Sequence, residues 1–126
     1  MSFSDTFETH VLDYVFTTDV LVRPTAWYLA LFTTNPADDD TGTEVTGGGY
    51  ARQSVTFTVT NDTASNTSAI EFPTATANYG TVSHVGVYTD STGGDLIAHA
   101  ALTSSKSIEV GDVFRVPAGD LDVAFG

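Results

Sequence analysis

The chain contains three histidines, His10, His84 and His99, whose imidazoles are suited to acid–base or metal chemistry near neutral pH. A nucleophilic triad needs a nucleophile, a base and an orienting group in mutual reach, and no sequence signature supplies that set. His84 and His99 flank the run DSTGGD, so a hairpin there would bring both imidazoles to one face, as in a two-histidine metal site. No third ligand is indicated nearby. We therefore predict that neighbouring backbone or hydroxyl groups satisfy both imidazoles and that the chain binds no metal and no other cofactor.

A cluster of acids offers a second kind of chemistry, because carboxylate oxygens bind hard cations. The cluster consists of Asp38, Asp39, Asp40 and Glu44, within residues 35–49. Its spacing departs from that of a calcium-binding EF-hand loop, which alternates ligands around a central glycine. The sequence therefore favours a solvated, exposed loop over a cation site.

A run of glycines and the scattered carboxylates form no recognisable catalytic motif. The run from Gly47 to Gly49 precedes a predicted strand instead of a helix and brings no lysine, so it indicates a flexible turn and not a phosphate-binding loop. The carboxylate pair of a glycoside hydrolase has no local signature among the 16 acids, and this enzymatic alternative stays open without support. We assign no catalytic residue and expect a protein that is not an enzyme.

Two Asn-X-Ser/Thr sequons, at Asn61 and Asn66, fall within the polar run NDTASNTS. We expect this run to be an exposed loop, which makes both asparagines candidates for glycosylation. The chain contains no cysteine. Disulfides, cysteine-based zinc sites and thiol nucleophiles are therefore excluded.

Acidic residues dominate the charge: 16 Asp and Glu face 4 Lys and Arg, giving a net charge of −12. Binding to nucleic acid requires clustered cations. The four cations are instead scattered along the chain, at Arg23, Arg52, Lys106 and Arg115. Anionic membrane surfaces are disfavoured for the same reason, and no stretch is long enough to span a bilayer. The 41% hydrophobic content predicts a folded chain, and the excess of Asp over Lys is typical of a halophilic surface.

The sequence predicts an N-terminal helix within residues 1–17, because apolar residues recur at three-to-four spacing. They are Phe7, Val11, Tyr14 and Val15. Ser4 or Asp5 is expected to cap the helix, with Glu8 placed as in a capping box, and Phe3 to pack onto the first turns. The apolar stripe either covers the core or, with Phe3 and Phe7, docks onto a neighbouring molecule. We favour the core, because lone amphipathic helices usually bury their stripe internally.

Strand patterns fill residues 26–126. Residues 26–32 (AWYLALF) are apolar throughout, as in a strand covered on both faces, whereas Val55, Phe57 and Val59 alternate with polar residues in one strand with a wet face. DSTGGD predicts a hairpin turn, and strands then recur about every ten residues up to Phe125, with a break at residues 103–105. The fold class is therefore mostly β: a single antiparallel β-sandwich or jelly-roll-like domain, residues 1–126, with a short N-terminal α-helix.

Several spaced blocks resemble a family of small proteins encoded among the virion genes of tailed bacterial and archaeal viruses. They are YLALFTTNPADDDTGTEVTGGGYARQSVTF, AIEFPTATANYGTVSHVGVY, GGDLIAHAALT and FRVPAGDLDV, and residues 47–53 are the most telling part. Members are commonly labelled tail fibre or minor structural proteins. The resemblance runs from the helix to the last strand and carries over no catalytic or binding residues.

The resemblance implies a non-enzymatic structural protein of a tailed virus, located on the capsid or tail surface of the virion. Our first hypothesis is a capsid-surface decoration or turret subunit. The alternative is a tail fibre or baseplate appendage that contributes to host attachment. The expected partners are other virion proteins, namely the major capsid protein or tail proteins, and further copies of the chain in a homo-oligomer. Nucleic acid and membranes are not expected partners. Together with the acidity, the resemblance suggests a virus of a halophilic archaeal host.

Overall fold

The computed structural model describes residues 1–20 and 23–124, and within these ranges it contains one helix and ten strands. In chain order the elements are β1 (Ser2–Phe3), α1 (Asp5–Phe16), β2 (Trp27–Phe32), β3 (Gln53–Val55), β4 (Phe57–Thr60), β5 (Thr63–Asn66), β6 (Ile70–Glu71), β7 (Gly80–Tyr88), β8 (Leu96–Ile108), β9 (Arg115–Val116) and β10 (Asp122–Ala124). The predicted mostly β, antiparallel, sandwich-like fold with one short N-terminal helix is confirmed. Phe125, the predicted end of the last strand, lies outside the described residues.

The larger sheet has five strands in the order β1-β8-β7-β2-β3, all antiparallel. The predicted hairpin forms at its centre, where β7 and β8 pair and Gly93 and Gly94 take the positive φ angles of 63° and 71°. Such angles are accessible to glycine at little cost, which explains the sequence of this turn.

Strand β2 is covered on both faces, as its continuous apolar sequence predicts. Leu29 and Leu31 belong to the main hydrophobic core, whereas Ala30 and Phe32 pack with Tyr88 and others on the opposite face. Across the main core lie a three-stranded sheet, β10-β5-β4, and a two-stranded one, β6-β9. The burial of large apolar side chains between these layers is the principal stabilising contribution to such a fold.

The prediction that the alternating residues around Val55 form a single strand is wrong. Strand β3 pairs with β2 in the large sheet, while β4 pairs with β5 in the three-stranded sheet. Between them the backbone carbonyl of Thr56 accepts a hydrogen bond from the Thr67 amide at 2.8 Å. Val55 is buried but Val59 is 69% exposed, so the alternation does not continue on one face of one sheet. Part of the predicted polar loop, residues 63–66, is strand β5.

Strand β8 runs for 13 residues and passes through residues 103–105, where the sequence predicts a break. The C-terminal half of β8 stays paired with β7, since Ser107 and Ile108 lie opposite Thr81 and Gly80. Serine and threonine side chains fit a wet strand face as well as a loop, so polarity alone does not separate the two.

Helix α1 begins at Asp5 and not at the first residues, because residues 2–3 form β1 at the edge of the large sheet. Ser4 is the N-cap, and its hydroxyl oxygen accepts a hydrogen bond from the Phe7 amide at 3.2 Å. The predicted capping box is wrong: with Ser4 as the cap, the third helical residue is Phe7 and not Glu8. Among residues 1–20 and 23–124, no helix has the length and apolar character needed to cross a membrane.

Candidate functional site

An apolar groove opens between the start of α1, the large sheet and the β4–β5 hairpin. Its volume is about 440 Å³. We call it the apolar groove, and define it by Phe3, Phe7, Trp27, Phe57, Val59, Asn61, Asp62, Thr63, Ala64, Val87, Ile97 and Val123. Binding pockets in proteins commonly have this size and are lined mainly by apolar and aromatic side chains, with a few polar groups at the edge. The groove is therefore the leading candidate for a binding site.

Backbone contacts fix the helical wall of the apolar groove. The Ser4 amide donates to the carbonyl of Ile97 at 2.8 Å, and the Ser4 hydroxyl donates to the carbonyl of Leu96. Both partners belong to β8, so the N-cap ties α1 to the large sheet. The rings of Phe3 and Phe7 then lie with centroids 4.9 Å apart, which confirms the predicted packing of Phe3 on the first turn.

The rest of the helix stripe does not enter the core. No residue of α1 is buried. Tyr14, Val15 and Phe16 are 63%, 60% and 78% exposed, and Leu12 is 56% exposed. The favoured interpretation, in which the stripe covers the sandwich core, is therefore wrong; only its first member, Phe7, reaches the apolar groove. We call the residues Leu12, Tyr14, Val15 and Phe16 the exposed helix end.

The polar rim of the apolar groove comes from the turn between β4 and β5. Asn61 has a φ of 56°, a left-handed conformation that asparagine tolerates better than most residues, and both Asn61 and Asp62 are exposed. The second sequon behaves differently. Asn66 is only 2% exposed, and its amide donates to the carbonyls of Ser68 and Pro117 at 2.9 and 3.0 Å. The expectation that Asn66 is exposed for glycosylation is wrong, while Asn61 stays a candidate.

His84 and His99 lie on one face of the β7–β8 pair and line a second, more open pocket of about 390 Å³. His10 is not among the residues lining it. Each imidazole in the pocket has a side-chain partner: His84 Nδ1 lies 2.8 Å from the Ser83 hydroxyl, and His99 Nε2 lies 2.7 Å from the Asp38 carboxylate. The predicted hydroxyl partner is thus present for His84, whereas the prediction is wrong for His99, whose partner is a carboxylate. Within residues 1–20 and 23–124, no three His, Cys, Asp or Glu side chains converge as a metal site.

Two acids of the 35–49 loop, Asp38 and Asp40, contact the large sheet, and a third, Asp39, makes a contact within the loop. Asp38 contacts His99, Asp39 accepts from the Thr41 hydroxyl at 2.8 Å, and Asp40 accepts from the Tyr88 hydroxyl. All three aspartates are exposed, as expected for a solvated loop, and each also has a hydrogen-bond partner. Tyr88 is buried, so its contact with Asp40 anchors the loop to the core.

A second anchor is a bidentate ion pair between Arg52 and Glu44, with nitrogen–oxygen distances of 2.8 and 2.9 Å. The Arg52 side chain is 9% exposed and that of Glu44 24%. The same guanidinium donates to the carbonyls of Asp90 and Gly93 at 2.9 and 2.7 Å and lies 3.7 Å from the centre of the Tyr88 ring. Arg52 thus joins the loop to the tip of the β7–β8 hairpin. We call this arrangement the arginine clamp.

Ionisation in the arginine clamp follows from burial and from Glu44. Burial by itself lowers the pKa of Arg52, and the hydrogen bond and charge of Glu44 outweigh it, so the pKa is raised. Burial first, and then a hydrogen bond to Glu44, raise the pKa of Tyr50 well above its usual value. Burial first, and then a hydrogen bond to Asp40, raise the pKa of Tyr88 in the same way. The clamp therefore holds a fixed cation with two neutral phenols, an arrangement suited to structure and not to proton transfer.

Residues 47–53 position this clamp. All three glycines have positive φ angles, and a Cβ at Gly48 would lie 2.7 Å from the carbonyl oxygen of Ala77. The predicted turn is present, and the Thr76 amide holds it by donating to the Gly48 carbonyl at 2.9 Å. Sequence reasoning missed both the clamp and the groove. The only sequence signal for the clamp is that Tyr50 and Arg52 lie within residues 47–53, the most telling part of the resemblance.

Comparison with known proteins gives one match that covers almost the whole chain. The family model described as podophage GP4 fiber I protein gp80 matches residues 2–124. The matched segment includes every strand and the helix described above. No curated protein matches the chain.

Proposed function

We propose that this chain is a non-enzymatic part of the tail fibre and contributes to host attachment. The chain belongs to the family of podophage GP4 fiber I protein gp80, and it is thus a tailed-virus fibre protein of the virion tail. The match over residues 2–124 carries the proposal. It supports the tail-fibre alternative of the sequence analysis better than the first hypothesis, a capsid decoration or turret subunit.

The structure is well suited to a mechanical part of a fibre. A fibre subunit must keep its shape while attached at few points, and the arginine clamp cross-links a long loop to a hairpin tip through four guanidinium hydrogen bonds. The charge-assisted, bidentate geometry of such contacts restricts motion more than neutral pairs do. The tyrosines and acids around it serve this rigid arrangement, which supports a structural role over catalysis.

The proposal extends to assembly and environment. We propose one domain over residues 1–126 and association with other tail proteins, with further copies of the chain as additional partners. Repetition in a symmetric fibre would strengthen attachments that are individually weak. The net charge of −12 further supports a virus of a high-salt habitat, because salt screens the repulsion between carboxylates.

Immunogold electron microscopy of purified virions, with antibody against this chain, tests the location and role. We expect label at the tail end, and we expect the same antibody to reduce adsorption of virions to host cells. An antibody against the major capsid protein serves as the control for head label and should leave adsorption less affected. Label confined to the head would reject the tail-fibre proposal in favour of capsid decoration.

A further inference from the structure

Among the described residues, the apolar groove and the exposed helix end leave apolar side chains open to solvent, and the acids beside the groove indicate the charge of a partner. We infer that this surface docks a cationic amphipathic segment of another virion protein, with apolar side chains in the groove and lysines or arginines over the rim. The inference rests on the proposed function, which supplies other tail proteins as the source of such a segment.

The apolar part of the argument comes from exposure. Val59 in the groove is 69% exposed, and on the adjoining helix Val15, which lies on the same side of α1 as Phe7, is 60% exposed. Phe7 connects the two areas, since it lines the groove and begins the stripe that continues to Val15. Exposed apolar side chains beside an apolar groove typically mark a site of association.

The charge around this surface selects the partner. Among the described residues, those lining the groove include Asp62 but no lysine or arginine. Glu8, which follows Phe7 in the first turn of α1, is also exposed. The cation Arg52 is held in the arginine clamp and is not available to offset these acids. A cationic segment therefore gains attraction at the rim.

The same charge disfavours a second copy as the occupant. Each copy carries a net charge of −12, so two copies repel each other, and salt would promote their association by screening. For a cationic partner the salt dependence is opposite, because screening weakens the attraction. The sign of the salt effect thus distinguishes the two occupants.

Trp27 makes the groove directly observable, because it is the only tryptophan of the chain and it lines the groove. The probes are two tryptophan-free amphipathic peptides, about four helical turns long, with leucine at the same positions. One has lysine at its polar positions and the other glutamate. We expect the lysine peptide to shift Trp27 emission to the blue with saturation, and its affinity to fall as KCl rises from about 0.15 to 1 M. The glutamate peptide should leave the emission unchanged.

Matched charge reversals locate the binding. D62K and E109K change the net charge equally, and both positions are exposed. Glu109 follows the far end of β8, roughly 40 Å along the strand from Ile97 in the groove. D62K should weaken lysine-peptide binding about three- to ten-fold, and E109K by less than about two-fold. Val59→Asn, which replaces an exposed apolar side chain, should weaken it about five-fold.

Equal binding of the two peptides, equal effects of D62K and E109K, or no change in Trp27 emission would each overturn the inference. Sedimentation that shows self-association growing with salt and abolished by Val59→Asn would assign the surface to a second copy and overturn the inference as well. Near-UV circular dichroism of each variant confirms that it is folded before titration. Because the titrations use the isolated chain, their failure with tail label intact rejects only this inference, whereas absence of tail label rejects the proposed function.

Discussion

Breaking the arginine clamp should destabilise the fold strongly. Replacing Arg52 by alanine leaves Glu44 without its cation and removes the donors to the Asp90 and Gly93 carbonyls. The ion pair is largely shielded, and removal of one partner from a buried pair costs about 3–5 kcal/mol. Domains of this size are stable by only about 5–15 kcal/mol, so R52A should lose a large fraction of its free energy of unfolding.

Urea unfolding followed by near-UV circular dichroism measures this loss at constant salt. R52K keeps the positive charge but cannot reproduce the bidentate contact, so we expect it to fall between R52A and the original chain, at a loss of about 2 kcal/mol. The matched control is Arg115→Ala, because Arg115 is an exposed arginine on β9, and its loss should stay within about 0.5 kcal/mol. An R52A loss below about 1 kcal/mol, or one equal to that of R115A, would refute the reasoning.

Three further predictions concern pH, a buried amide and salt. The pKa of Tyr88 is raised above its ordinary value of 10.0, so the stability that this phenol contributes is present below about pH 10 and is lost as pH rises towards the folded-state pKa. Y88F should therefore reduce the alkaline loss of unfolding free energy by up to about 1.4 kcal/mol per pH unit. Urea titrations at pH 9–11 measure this loss. Asn66→Ala should lower the free energy of unfolding by about 2–4 kcal/mol, because it leaves the Leu121 amide and two carbonyls without partners. The control N61G, in the exposed turn, should leave it unchanged. Equal melting temperatures for the two variants would contradict this prediction. The melting temperature of the unaltered chain should rise between millimolar and molar KCl, and a flat profile would remove the proposed high-salt adaptation.

Most elements of the fold could be predicted because their signals are local. The continuous apolar run of β2 and the paired glycines of the β7–β8 turn each specify their own conformation within a few residues. Around Thr56 the same reasoning fails, since alternation is equally compatible with one strand or with two strands in different sheets. The switch is decided by which neighbours pair with each half, and those neighbours are distant in sequence.

The candidate site depends almost wholly on such distant contacts. Arg52 reaches a carbonyl 38 residues away, and His99 meets Asp38 across 61 residues. Neither pairing has a spacing rule, so sequence reasoning identified the acids without their partners. The apolar groove likewise combines side chains from α1, from the β4–β5 hairpin and from the large sheet, which no single periodic pattern describes.

The sequence by itself determined the β-rich antiparallel class, the N-terminal helix with Ser4 among its caps, the central hairpin and an acidic surface, because propensity, turn chemistry and charge are properties of neighbouring residues. Only the tertiary structure decided that Asn66 is buried, that Arg52 is clamped, and that the apolar stripe of α1 runs from the groove out into solvent. A periodic stripe specifies which side of a helix is apolar, but what covers that side depends on the packing of the rest of the chain.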